Sequence, residues 1–110
     1  MASGQRDEMY SFRSTCRKVI CVGRNYAEHA KEFGNAVPTK PMLFVKTSNA
    51  IVEGPEAQLE FPPGCTNLHP EVELAVVIGK TAKNIPKEKA YDYVKGYSVA
   101  LDVTARDFQH

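Results

Sequence analysis

The sequence contains no apolar run near the ~20 residues that a bilayer-spanning helix needs. Its longest, Leu74 to Ile78, has the length of a buried strand, and no membrane partner is expected. An excess of one charge is lacking too, because 14 basic and 13 acidic side chains leave a formal net charge of +1. The broad basic footprint of a nucleic-acid binder is therefore missing, and no nucleic-acid partner is expected. Cysteine is scarce. Cys16, Cys21 and Cys65 are odd in number and contain no C-x-x-C pair. That argues against a disulfide framework, a zinc ribbon and a thioredoxin-type redox site. Reduced thiols in a mitochondrial or cytoplasmic compartment are the default. No repeat or low-complexity stretch occurs, and no apolar segment near the N-terminus marks a secretory signal.

What is present suits a folded chain. The 110 residues are 43% hydrophobic and 25% charged, values of an ordinary globular domain. Met1 to Arg17 differ from the rest and are expected to form a flexible N-terminal extension. Arg6, Arg13, Arg17 and the serines half fit a mitochondrial presequence, whereas Asp7 and Glu8 do not. A loose extension and a targeting segment both stay open. Residues 18–110 are expected to form the structured domain.

Lys18 to Val22 (KVICV) is a short apolar run stopped by Gly23, which predicts a strand. Asn25 is placed to cap a helix over Tyr26 to Phe33, with Gly34 as its stop. Met42 to Lys46 reads as a second strand, followed by a polar turn at Thr47 to Asn49. An edge strand is expected around Gln58 to Phe61, among several prolines. Glu71 to Gly79 (EVELAVVIG) gives the strongest strand signal. Val72, Leu74, Val76 and Ile78 share one face, and Glu71, Glu73, Ala75 and Val77 the other. Pro86 to Lys95 predicts a helix ended by Gly96, Tyr97 to Val103 a strand, and Thr104 to His110 the opening of another helix.

The chemistry-bearing residues lie on these elements. Glu71 and Glu73, two apart on a strand, present both carboxylates on one face. Like charges there repel and resist desolvation, and a cation between them removes both costs. Asp102 is an acid in an otherwise apolar strand and needs a partner. Three carboxylates suit a hard cation, Mg²⁺ or Mn²⁺, rather than Zn²⁺. The same residues equally read as a solvated sheet face with Asp102 capping a helix at Thr104. His29 and Glu32, at i and i+3, share one helix face. They form either a proton-transferring dyad or part of a mixed-charge surface. Arg24-Asn25-Tyr26 either binds a carboxylate or makes a cap and a packed aromatic. Lys46 either meets an anion or extends to water. Arg106 and Asp107 pair with each other or with the acids of the strand pair. His69 lies near the carboxylates or in a loop.

Taken together, these segments resemble the fumarylacetoacetate hydrolase family, and most closely its small acylpyruvase-type members. The resemblance rests on Ile20-Cys21-Val22-Gly23-Arg24-Asn25-Tyr26-Ala27 with His29 and Glu32, then Leu43-Phe44-Val45-Lys46. It continues through Asn67-Leu68-His69, Glu71-Val72-Glu73-Leu74 and Leu101-Asp102-Val103-Thr104-Ala105-Arg106-Asp107. Order and spacing hold from Lys18 to His110. The resemblance implies an α+β, β-rich partial mixed β-roll with short helices, and a homodimer. It implies that Glu71, Glu73 and Asp102 ligate Mg²⁺ or Mn²⁺, and that His29 and Glu32 activate water from a mobile lid helix. Arg24, Asn25, Tyr26 and Lys46 are then substrate-binding. Substrates would be short 2-oxo or 2,4-dioxo acids: acylpyruvates for hydrolysis, or alternatively oxaloacetate for decarboxylation or tautomerisation. The resemblance also implies a later half of the domain, with a catalytic lysine and a Gly-Thr-Pro segment. A truncated, inactive fragment with residual metal binding or partner association is the expectation of a different class. Pro70 stands where many members carry a second histidine, and Thr47 where a proline is frequent.

Overall fold

The structure, a computed structural model, describes residues 12–32, 34, 36, 38–55 and 57–109. Residues 1–11 of the expected extension, and Phe33 of the expected helix, lie outside the described residues. The architecture is α+β and strand-rich, with short helical segments. Contacts cluster into two units, Met1–Gln58 and Leu59–His110.

In the first unit, helix α1 (Phe12–Thr15) precedes strand β1 (Lys18–Gly23), helix α2 (Ala27–Glu32) and strand β2 (Met42–Thr47). The β-branched and aliphatic residues of KVICV and MLFVK favour extended backbone. β1 and β2 pair antiparallel, with Ile20 opposite Val45 and Val22 opposite Leu43. These four apolar side chains share one face and are exposed. Val19, Cys21 and Gly23, with Lys46, Phe44 and Met42 across from them, form the other face. Gly34 follows α2 with φ of 67°, and its N–H donates to the Lys31 carbonyl at 3.1 Å. That left-handed conformation is the glycine stop the sequence predicts. The expected polar turn is a 3₁₀ turn over Ser48–Ala50.

In the second unit, strand β3 (Leu68–Ile78) and strand β4 (Val94–Ala105) pair antiparallel. Between them a 3₁₀ helix spans Lys87–Tyr93. This corrects the expected helix over Pro86 to Lys95. Gly96 is no helix stop either, because it lies inside β4 opposite Val77. A register shift falls between Val77 and Ile78, and beyond it the Gly79 N–H donates to the Tyr93 carbonyl at 2.8 Å. The expected edge strand over Gln58 to Phe61 does not form. The expected terminal helix is also corrected, since β4 runs through Thr104 to Ala105 and only a 3₁₀ turn, Arg106–Phe108, follows.

Burial is thin in both units. Among the described residues Cys65 is the one buried apolar side chain. Val72, Leu74, Val76 and Ile78 from β3 and Tyr97, Val99 and Leu101 from β4 form one continuous exposed apolar face. No described helix is long and apolar enough to cross a membrane.

Candidate functional site

The pairing of β3 with β4 decides where the acids stand. Directly opposed residues of an antiparallel pair share a face. Glu71 lies opposite Asp102, and Glu73 opposite Ala100. All three candidate carboxylates therefore occupy one face, the one opposite the exposed apolar strip, and all three residues are half-buried. Ala75 with Ser98, then Val77 with Gly96, continue that face. His69 belongs to the same face, opposite Thr104, in β3 rather than in a loop. Asp102 caps no helix at Thr104, because β4 continues through that residue.

Arg106 supplies the cation that faces Glu71. Its Nη2 donates to Glu71 Oε1, and its Nη1 donates to Gln109 Oε1. Of the two pairings open to Arg106, the strand acids are the partner. Asp107 takes neither of the pairings expected of it. It turns to the segment before β3: Oδ2 accepts from the backbone N–H groups of Thr66 and Asn67 at 2.9 and 2.8 Å, and Oδ1 accepts from Thr66 Oγ1 at 2.9 Å. The Arg106 N–H donates to the Asn67 carbonyl at 2.8 Å. Hydrogen bonding from Asn67, with help from the Cys65 thiol and from Thr66, lowers the Asp107 carboxyl to about 2. Burial, then the Asp107 carboxylate beside it, pushes the Cys65 thiol up from its ordinary value. The pattern of the sequence gives no sign of this clasp. Asp107 lies some forty residues from Thr66 and Asn67, and strand pairing brings them together.

The donor chemistry fits a hard divalent cation, with three carboxylates and no thiolate on the shared face. Among the described residues no three acidic, imidazole or thiol side chains close into a ligating cluster, and Glu71 is held by Arg106. Glu71, Glu73 and Asp102 are the residues that would hold such an ion.

The first unit carries the other candidates. Arg24, with φ of 52°, turns the chain sharply out of β1. Arg24 and Asn25 line an open cleft of about 270 Å³ together with Val22, Gly23, Pro38, Thr39, Lys40 and Pro41. Two cationic side chains, Arg24 and Lys40, border this cleft, a setting that favours an anion such as a carboxylate. Lys40 carries no signal in the sequence, since it lies in a loop with no pattern of its own. Tyr26 is 54% exposed, and Lys46 is half-buried opposite Val19 in β1. His29 and Glu32 both lie on α2, Glu32 with an exposed side chain. The His29 side chain lies outside the described residues.

A family model described as fumarylacetoacetate (FAA) hydrolase C-terminal matches residues 18–110. The chain belongs to the fumarylacetoacetate hydrolase family. It is 63% identical over 99 residues to the mitochondrial oxaloacetate tautomerase fahd-1 of Caenorhabditis elegans, covering 89% of this chain and 45% of that protein. It is 48% identical over 102 residues to the mitochondrial oxaloacetate decarboxylase of Dictyostelium discoideum, covering 92% of this chain and 46% of that protein. A solved fumarylpyruvate hydrolase from Pseudomonas aeruginosa, in complex with Mn²⁺ and pyruvate, superposes with a TM-score of 0.75 at 44% identity. That match covers 84% of this chain and 42% of the hydrolase. The strand-rich fold is thus of the fumarylacetoacetate hydrolase type, and the chain spans less than half the length of these relatives. A divalent metal occurs in the family, in a complex that also holds pyruvate, a 2-oxo acid.

Proposed function

We propose that this chain contributes a divalent-metal site and a proton-transfer dyad to an enzyme acting on oxaloacetate, with keto–enol exchange as the leading reaction and decarboxylation as its close variant. The acylpyruvate hydrolysis expected first from the sequence becomes the second reading, because the named relatives favour oxaloacetate. The observation that carries the proposal is the register that sets Glu71, Glu73 and Asp102 on one face.

In this reading Glu71, Glu73 and Asp102 hold Mg²⁺ or Mn²⁺. When bound, the ion supplies a Lewis acid that withdraws charge from the carboxylate and ketone oxygens of a 2-oxo acid. Arg24 and Asn25, which line the cleft of the first unit, bind a carboxylate of the substrate, with Tyr26 and Lys46 orienting it. His29, oriented by Glu32, takes a proton from C3 of oxaloacetate, and the 2-oxo oxygen gains one in return. No atom is lost, so the product is the enol. The second reading is supported by the solved fumarylpyruvate hydrolase, which is 44% identical to this chain. There His29 would take a proton from water, which attacks the distal carbonyl of a 2,4-dioxo acid to yield pyruvate and a carboxylic acid. Mitochondrial names among the relatives support a mitochondrial location, and a homodimer belongs to the same reading.

Mn²⁺ titration followed by EPR tests the metal site directly. Glu73→Gln should weaken binding by at least ~10-fold, as loss of a charged ligand from a hard-cation site does. Equal affinity in the two proteins overturns the assignment. For turnover, the chain is compared with a fusion that continues it with the remaining part of the C. elegans tautomerase. Metal-dependent exchange at C3 of oxaloacetate in the fusion, lost in His29→Ala with Mn²⁺ affinity retained, is the expected result. Loss of Mn²⁺ affinity in His29→Ala means that the two roles are misassigned. Exchange surviving in His29→Ala alongside lost hydrolysis of acetylpyruvate moves the dyad to the second reading.

A further inference from the structure

The apolar face of the β3–β4 pair leaves its own register open. In the observed register Val72 faces Leu101, Leu74 faces Val99 and Val76 faces Tyr97. A slip of two residues in one direction pairs Val72 with Val99 and Leu74 with Tyr97. In the other it pairs Leu74 with Leu101 and Val76 with Val99. These pairs are apolar on apolar, although the first slip also sets Val76 against Lys95, and a two-residue slip keeps each side chain on its face. The opposite face changes its partners, with Asp102 meeting His69 after the first slip and Glu73 after the second. After one slip Glu71 faces Ala100, and after the other it faces Thr104. Hydrophobic pattern alone therefore does not place Glu71 across from Asp102.

Something else contributes, and among the described residues most of the flanking bonds lie at one end of the pair. At the far end a single backbone bond, Gly79 to Tyr93, lies beyond the register shift between Val77 and Ile78. At the near end the ladder runs without interruption from Leu68–Ala105 to Glu71–Asp102. Immediately outside it, Asp107 accepts three hydrogen bonds from Thr66 and Asn67, and Arg106 donates one to Asn67. Bonds to an ionised carboxylate are stronger and more directional than neutral ones. A slip of two residues would break all four at once.

We propose that Asp107 is a positioning residue: its carboxylate clasps Thr66 and Asn67 and so fixes the strand register that sets Glu71 opposite Asp102. It touches neither substrate nor metal. It acts through the ladder, and Arg106 beside it holds Glu71 from the same turn. The proposal rests on the metal-site reading for its consequence and on the strand pairing alone for its mechanism.

Cross-strand cysteine trapping reads the register. Two paired variants are made, Val72→Cys with Leu101→Cys and Val72→Cys with Val99→Cys. Each is oxidised mildly, and the crosslinked peptides are mapped by mass spectrometry. In the parent background the first pair should crosslink in large excess over the second. Asp107→Ala should bring the two yields toward equality and weaken Mn²⁺ binding about tenfold, the loss typical of residues that orient ligands. Thr66→Val removes a single hydroxyl bond and should leave the fold intact, as circular dichroism checks. It should shift the ratio in the same direction by less, and Asp107→Asn should fall between the parent and Asp107→Ala. An unchanged ratio in both Asp107→Ala and Thr66→Val overturns the proposal. A parent that traps the first pair but binds no Mn²⁺ overturns the metal reading instead, and the ratio still decides the role of Asp107.

Discussion

At the residue scale, the Cys65–Asp107 neighbourhood makes two measurable predictions. The Asp107 carboxyl titrates at about 2 instead of its ordinary 3.8 because the folded state donates hydrogen bonds to its ionised form. A carboxyl depressed in this way adds stability above its unfolded value, and loses it as pH falls toward the folded one. The clasp is therefore expected to be intact at pH 5 and to open between about pH 4 and pH 2. Amide exchange at Thr66 and Asn67, measured across that range, checks it, and Asp107→Asn should abolish the pH dependence. Exchange that accelerates equally in the variant would assign the acid transition to another group. Cys65 is buried and its thiol is held protonated. The thiolate is the reactive form, so iodoacetamide at neutral pH should label Cys65 more slowly than the half-buried Cys16 and Cys21. Peptide mapping gives the order, and faster labelling of Cys65 would contradict the environment described.

At the scale of elements, strands were legible and their partners were not. The apolar runs in Lys18–Gly23 and Met42–Thr47 locate both strands to within a residue, because short continuous runs rich in β-branched and aromatic residues favour extended backbone. The alternation in Glu71 to Gly79 correctly separates the acid face from the apolar face. It carries no record of Asp102 or of the register, which depends on contacts distant in sequence. Tertiary pairing overrides local signals around Gly96 and Val94. Gly96 looks like a helix stop, yet it sits in β4 where a second strand runs past. The Ala90, Tyr93 and Val94 spacing suggests a helical face, but the segment winds as 3₁₀ and Val94 has already begun β4. Gly79 shows why its position is glycine. A Cβ there would meet Lys95 Cβ at 2.8 Å and Lys95 Cα at 3.2 Å, and backbone cannot yield as a flexible side-chain tip does. Gly79→Ala should destabilise the β3–β4 unit by about 1–3 kcal/mol, the usual cost of overpacking, as read from urea unfolding. Gly23→Ala should cost less, because its clash is with the mobile Met42 Cε.

At the scale of the whole molecule, both units offer apolar sheet faces to solvent. Leu74 is 69% exposed, Val99 77% and Val45 63%. Full burial of one such side chain contributes about 1.5–3 kcal/mol, and a whole domain is stable by only ~5–15 kcal/mol. Seven uncovered side chains on the β3–β4 face therefore represent burial comparable to that entire margin. Expressed alone, the 110 residues are expected to show weak amide protection across Glu71 to Gly79 at low concentration, and to associate as concentration rises. The face is separate from the carboxylates, so the two properties can be parted by mutation. Leu74→Lys with Val99→Glu places opposite charges at directly opposed positions, where they support the strand pairing. Sedimentation velocity should show this double variant monomeric at concentrations where the parent associates, while its Mn²⁺ affinity matches the parent's. Association unchanged in the double variant would move the contact to another surface, the β1–β2 face carrying Ile20, Val22, Leu43 and Val45. Strong protection across β3 in a monomeric parent would mean that the strand pair is stable without any cover for its apolar face.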